Sequence, residues 1–107
     1  GVGDPDSRIF LAEGTDGAVL GWLHVFGVHL LESEGQAEIG GLVVDSRVKG
    51  QGVGTALVNA AEAWARERGY ADMAVRSNVI RAEAHKFYQR HGYTIIKSQY
   101  KFQKPLG

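Results

Sequence analysis

The chain has no cysteine, only two prolines, one methionine and no net charge. Without cysteine there can be no disulfide, no thiolate metal ligand and no acyl-thioenzyme intermediate. Twelve Lys and Arg are matched by 12 Asp and Glu, which argues against a general nucleic-acid binder, because phosphate backbones draw an excess of base. No apolar run approaches the ~20 residues that span a bilayer as a helix, so no membrane role is expected. Histidines and carboxylates nowhere take a metal-ligand spacing, and no metal is expected. What remains is an ordinary globular composition, 44% hydrophobic and 22% charged over 107 residues, enough for a single domain spanning 1–107. Glycine is the exception, at 15 residues, and several of these cluster. The chain opens at Gly1 without Met, as a processed or trimmed product would.

Residues 1–7 read as a polar lead-in around Asp4-Pro5-Asp6. Arg8 to Glu13 reads as a strand, and Gly14-Thr15-Asp16-Gly17 as the turn of a hairpin. Ala18 to Leu31 continues as a longer strand, with Trp22, His24 and Phe26 on one face and Leu23 and Val25 on the other. After a turn at Glu32-Ser33-Glu34-Gly35, Ala37 to Val44 gives a third strand, whose Gly40-Gly41 pair predicts a bulge or a close approach. The period then changes. Val53, Leu57, Ala60, Ala61, Trp64 and Ala65 recur at helical spacing, and Gly69 supplies the stop. Tyr70 to Arg76 predicts a strand, Ile80 to His91 a second helix ended by Gly92, and Tyr93 to Ile96 and Gln99 to Gln103 two last strands.

The most informative segment joins the third strand to the first helix through Asp45-Ser46-Arg47-Val48-Lys49-Gly50-Gln51-Gly52-Val53-Gly54-Thr55. Glycines let backbone N–H groups converge on an anion, and a helix start adds about half a positive charge. Arg47 and Lys49 add full charges, so the segment suits a phosphate or pyrophosphate; otherwise it serves chain reversal only. A P-loop is excluded, since no Lys-Ser or Lys-Thr step follows a glycine. A dinucleotide fingerprint fails too, because the third glycine comes one residue early.

Here the sequence resembles the GNAT family of N-acetyltransferases, which use acyl-CoA. Their Arg/Gln-x-x-Gly-x-Gly/Ala signature is met by Lys49-Gly50-Gln51-Gly52-Val53-Gly54, with Lys at the first position. Ala37-Glu38-Ile39-Gly40-Gly41-Leu42-Val43-Val44 resembles the family's central strand, and Ala84-His85-Lys86-Phe87-Tyr88-Gln89-Arg90-His91-Gly92-Tyr93 its later block. The likeness runs from about Arg8 to the C-terminus, in three blocks in the right order. Two departures stand out: Arg81 lies where many members carry Asn, and the family's N-terminal strand and first two helices have no counterpart. The implied fold is α/β (α+β), a mixed, mostly antiparallel central sheet flanked by helices and lacking those N-terminal elements.

The resemblance implies an enzyme that moves an acetyl group from acetyl-CoA to an amine by direct transfer. The backbone at Leu42, Val43 and Val44 would pair with the pantetheine arm, and the amides from Gly50 through Gln51, Gly52, Val53 and Gly54 to Thr55 would hold the pyrophosphate, beside Lys49. Arg81 and Lys86 would reach the 3′-phosphate or lie on a solvated helix face. An alkyl amine has a pKa near ~10 and must lose a proton before it attacks. Glu38 sits where several members place that base; otherwise it is a strand-end carboxylate in solvent or in a salt bridge. Tyr88 matches the family's acid for the departing thiolate; otherwise it is a core tyrosine. Trp22 and His24 line the acceptor pocket or pack across strands, His29 is solvated near a turn, and His85 and His91 have structural roles.

The rival from another class is a non-catalytic acyl-CoA-binding or regulatory module, and a third reading is a nucleotide-binding domain using the same loop. The acceptor stays open among peptide N-termini, lysines, polyamines, aminoglycosides and other small amines. A cytoplasmic setting is expected. A strand edge left uncovered at Arg8 to Glu13, together with the family's habit of pairing, implies a homodimer.

Overall fold

The computed structural model describes residues 6–28, 35–75, 82–96 and 104–106, which fall in two compact units, Gly1–Ser77 and Asn78–Gly107. In the first unit the strands are β1 (Ser7–Glu13), β2 (Val19–Val28), β3 (Gln36–Val44) and β4 (Asp72–Val75), with helix α1 (Val53–Glu67) between β3 and β4. The sheet order is β1-β2-β3-β4. The first three strands are antiparallel, and β4 runs parallel to β3 because α1 carries the chain back across the sheet. The mixed, mostly antiparallel sheet expected from the sequence is present.

The β1–β2 hairpin closes where Gly17, at φ 82°, donates its N–H to the Gly14 carbonyl, and Asp16 accepts from the Ala18 amide. Alternation along β2 and β3 then sorts the side chains. Leu23, Val25, Ala37 and Ile39 are buried on one face. On α1 the buried set is Leu57, Val58, Ala61, Trp64 and Ala65, a stripe of helical period. Gly21 fixes which sheet face meets that stripe, because a Cβ there would stand 3.2 Å from both Leu57 and Val53. The core lies between α1 and this face.

Helix α1 stops at Gly69 in a left-handed conformation, with Tyr70 N–H donating to the Ala65 carbonyl and Gly69 N–H to that of Arg66. The Trp64 ring stacks on Tyr70 at 6.0 Å, and the Arg68 guanidinium lies over it at 5.5 Å. Gly27 of β2 is small for a packing reason: a Cβ there would collide with the Tyr70 hydroxyl.

The opposite sheet face carries Trp22, His24 and Phe26, as the alternation predicts. The Gly40-Gly41 pair is a bulge. His24 pairs with Gly41 and Val25 with Ile39, so Gly40 is the inserted residue. A Cβ on Gly40 would come within 2.7 Å of the Phe26 ring, and one on Gly41 within 3.0 Å of the Trp22 ring. Both rings rest on backbone that only glycine leaves bare.

In the second unit, α2 runs Ala82–Arg90 and ends at Gly92, φ 89°, with Tyr93 N–H donating to the Tyr88 carbonyl. Phe87 packs edge-on to Tyr88 at 5.2 Å and against His91 at 4.7 Å, while Tyr93 meets Tyr88 at 5.7 Å. His91, expected at the helix stop where a cation suits the dipole, also makes this ring contact with Phe87. The expected strand at Tyr93 to Ile96 is not formed; those residues run without ladder bonds, and Ile95 and Ile96 are exposed. A four-residue segment with two adjacent isoleucines is too weak a signal for a strand. The strand expected at Gln99 to Gln103, His29 and Arg81 lie outside the described residues.

Gly21→Ala places a methyl 2.8 Å from the Val43 backbone carbonyl, which cannot swing aside. Overpacking of this kind costs about 1–3 kcal/mol, so urea denaturation should show a lower midpoint with an unchanged slope.

Candidate functional site

Strand β3 has two halves with different neighbours. From Gln36 to Ile39 it is paired on both sides, ending at Ile39↔Val75. Beyond that point, among the described residues, Gly41 to Val44 pair with β2 only, and Gly40 is the inserted residue. The free groups on that edge follow from one hydrogen bond. Asp45 N–H donates to the Leu20 carbonyl at 2.8 Å, so by alternation the amides and carbonyls of Val43 and Gly41 also turn toward β2. Those of Leu42 and Val44 therefore face the open edge.

The edge runs directly into the basic loop. Asp45 caps a single 3₁₀ turn, Ser46–Val48, by accepting the Arg47 amide at 2.9 Å. Its carboxylate also holds the Arg47 guanidinium at 2.7 Å, and this hydrogen bonding keeps the Asp45 pKa down at about 2. The sequence reading counted Arg47 as a charge available to an anion. Instead it is neutralised within the loop, while Lys49, exposed, makes no ion pair among the described residues.

Gly50 and Gly52 follow at φ 81° and 85°, and Gly52 is the N-cap of α1 with no side-chain cap. The first intrahelical bond is Ala56 N–H to Gly52 O at 3.0 Å, so the amides of Gly52, Val53 and Gly54 lie ahead of the helical ladder. No acidic residue occupies the first turn to oppose an anion there. A Cβ on Gly50 or Gly52 would meet nothing within 4 Å. These glycines therefore serve conformation and open space rather than tight packing. A pyrophosphate fits this cradle, and an extended amide-bearing arm fits the Leu42–Val44 edge.

Glu38 is buried, 5% exposed, on the face away from α1, opposite Phe26 on β2 and Ala74 on β4. Gln36 Nε2 donates to its Oε1 at 3.4 Å. The solvated strand-end alternative is thereby overturned, since a carboxylate held on a sheet interior is costly and needs a use or a partner. On the same face His24 Nε2 lies 2.8 Å from Ser7 Oγ, a contact no sequence pattern signals because cross-strand register creates it. Tyr88 belongs to the second unit, where burial pushes its phenol pKa upward. It therefore stays protonated at neutral pH, as a proton donor must. Lys86, on the same helix, is exposed.

Among the described residues, a mixed sheet whose third strand runs into a glycine-capped helix start offers a backbone site suited to an extended, phosphate-bearing ligand. The family model for the acetyltransferase (GNAT) family matches residues 2–93. An aminoglycoside N(6′)-acetyltransferase type 1 of Stenotrophomonas maltophilia is 30% identical over 98% of this chain and 71% of its own length. An aminoalkylphosphonate N-acetyltransferase of Salmonella typhimurium is 35% identical over 96% of this chain and 66% of its own length. An aminoglycoside N-acetyltransferase solved in complex with CoA superposes with a TM-score of 0.83 at 19% identity, covering 97% of this chain and 80% of that one. The chain belongs to the GNAT family and is an N-acetyltransferase that uses acetyl-CoA as co-substrate.

Gly52→Val forces a β-branched residue into a left-handed conformation and fills the cradle. Calorimetry should show loss of CoA binding while the far-UV circular dichroism of the sheet and α1 persists.

Proposed function

We propose that the chain acts as one domain, 1–107, in the cytoplasm, transferring acetyl directly from acetyl-CoA to the primary amine of a small molecule or peptide. The observation that carries this is the open Leu42–Val44 edge leading into the glycine-capped start of α1. In this reading the Leu42 and Val44 backbone takes the pantetheine arm, whereas the expected part of Val43 falls away because its amide and carbonyl turn toward β2. The amides of Gly50, Gly52, Val53, Gly54 and Thr55, with Lys49 beside them, take the pyrophosphate, while the Gln51 N–H is already donated to the Val48 carbonyl at 3.2 Å; Lys86 and Arg81 serve the 3′-phosphate. Both named relatives have small amine-bearing molecules in their names, which favours a small-molecule acceptor.

The acceptor arrives as an ammonium. The Glu38 carboxylate attracts it and takes one proton, directly or through a water. The neutral amine attacks the thioester carbonyl, a C–N bond forms, and the C–S bond breaks. Tyr88 gives its phenolic proton to the departing thiolate and is reprotonated as the acylated nitrogen gives up its second proton. Without a cysteine, no acyl-thioenzyme interrupts the transfer. A binding-only module has no use for a buried carboxylate on the acceptor face, and nothing in the comparisons favours it. Measured consumption of acetyl-CoA across polyamine, aminoglycoside, aminophosphonate and peptide acceptors tests the whole reading, and no turnover with any class would end it.

Tyr88→Phe should lower kcat roughly 10²-fold with little change in acetyl-CoA affinity, measured by steady-state kinetics and calorimetry.

We also propose a homodimer. Among the described residues β1 is an edge strand paired on one side only, and Ile9 and Leu11 are exposed on it. Light scattering at micromolar concentration should give twice 11.6 kDa. A monomer that turns over acetyl-CoA would refute the pairing.

A further inference from the structure

Between Val44 and Glu62 the charged residues are Asp45, Arg47 and Lys49, which sum to a single positive charge. Both oxygens of the Asp45 carboxylate are turned onto one neighbour. Oδ1 accepts the Arg47 amide at 2.9 Å and Arg47 Nε at 3.1 Å, while Oδ2 accepts Nε at 3.2 Å and Nη2 at 2.7 Å. The Asp45 N–H is tied to the Leu20 carbonyl and its own carbonyl accepts from Val48 N–H, so the carboxylate has a fixed base. The Arg47 side chain is 79% exposed, so polar contacts rather than packing hold it folded back. Those hydrogen bonds from Arg47 keep the Asp45 pKa at about 2, and the pair therefore stays charged well into acid. A guanidinium is the side chain best shaped for a phosphate, with planar donors that grip two oxygens at once. Here one stands at the start of a phosphate-suited loop and is turned onto a carboxylate instead.

We propose that Asp45 limits how tightly the loop holds CoA, by keeping the Arg47 guanidinium off the phosphates and leaving Lys49 as the working cation. This rests on the pyrophosphate reading of the same loop. Acetyl-CoA arrives and CoA must leave, and both carry the same pyrophosphate. A contact made equally with the two adds nothing to the chemical step and slows departure of the product. The amides of Gly52, Val53 and Gly54 lie ahead of the helical ladder, and the helix start adds about half a positive charge. With Lys49 beside them, a second full charge would turn binding into retention. Asp45 is thus a positioning residue. It touches no ligand and acts through Arg47.

The test is the affinity for CoA by calorimetry and its dissociation rate by stopped-flow displacement, each at low and high salt. Asparagine keeps an oxygen for the Arg47 amide, and so keeps the turn, but lets the guanidinium go. Asp45→Asn should bind CoA roughly tenfold tighter at low salt and release it correspondingly more slowly, with the gain shrinking at high salt. Arg47→Gln should cost roughly threefold in the native background, where the guanidinium is already held away, and roughly tenfold in the Asp45→Asn background, where it is free. A pair that merely shapes the turn gives the reverse order, because its loss is felt only where the pair exists. Asp45→Asn binding no tighter than wild type overturns the proposal. So does an Arg47→Gln cost that is equal or larger in the native background. If Asp45→Asn does not fold, Asp45→Ser keeps a capping oxygen without the charge and takes its place in the cycle. Gly52→Val separates the two failures. Full CoA affinity in that variant ends the loop reading and this proposal together, whereas its loss beside Asp45 variants that match wild type ends this proposal alone.

Discussion

One inserted residue governs the functional half of the first unit. At Gly40 the antiparallel register with β2 slips by one, and one residue earlier the parallel pairing with β4 ends. A strand that keeps both neighbours has no backbone groups to offer a ligand. Among the described residues β3 has β2 alone beside it past the bulge, so Leu42 and Val44 turn their backbone groups away from the sheet while the first residues of β3 are paired on both sides. That edge is held straight by β2 and ends at the loop that starts α1.

The glycines divide into two physical classes along this path. Gly21, Gly27, Gly40 and Gly41 are small because something presses on them: a carbonyl, a hydroxyl, or an aromatic ring. Gly50 and Gly52 are glycine because the chain turns through positive φ with empty space beside it. The first class belongs to packing and the second to backbone conformation. Composition alone, with its excess of glycine, cannot separate them.

Local patterns made most of the first unit legible in the sequence. Alternation in β2, the Gly40-Gly41 bulge, the helical stripe ending at Trp64 and Ala65, and the Gly69 stop were all readable because each signal lies within a few residues. The loop motif was equally legible. What failed to show was set by side-chain pairing in the loop and by register across the sheet. The Asp45–Arg47 pairing removes a charge the loop motif had seemed to supply, and the burial of Glu38 depends on Phe26 and Ala74 from other strands. The Ser7–His24 contact joins residues seventeen apart in sequence through hairpin register. Tyr93 to Ile96 failed for the reverse reason, because a strand needs a partner that a two-residue pattern cannot name.

The chain's two tryptophans sit on opposite faces of one sheet. Trp64 is 4% exposed and stacked on Tyr70, whereas Trp22 is 37% exposed beside the bulge. Their emission therefore separates by environment, blue-shifted from the core and red-shifted from the open face. Acrylamide or iodide reaches the second far more readily than the first. The protein thus carries an optical gauge of its own, in which one indole reports the integrity of the core and the other what arrives on the exposed sheet face.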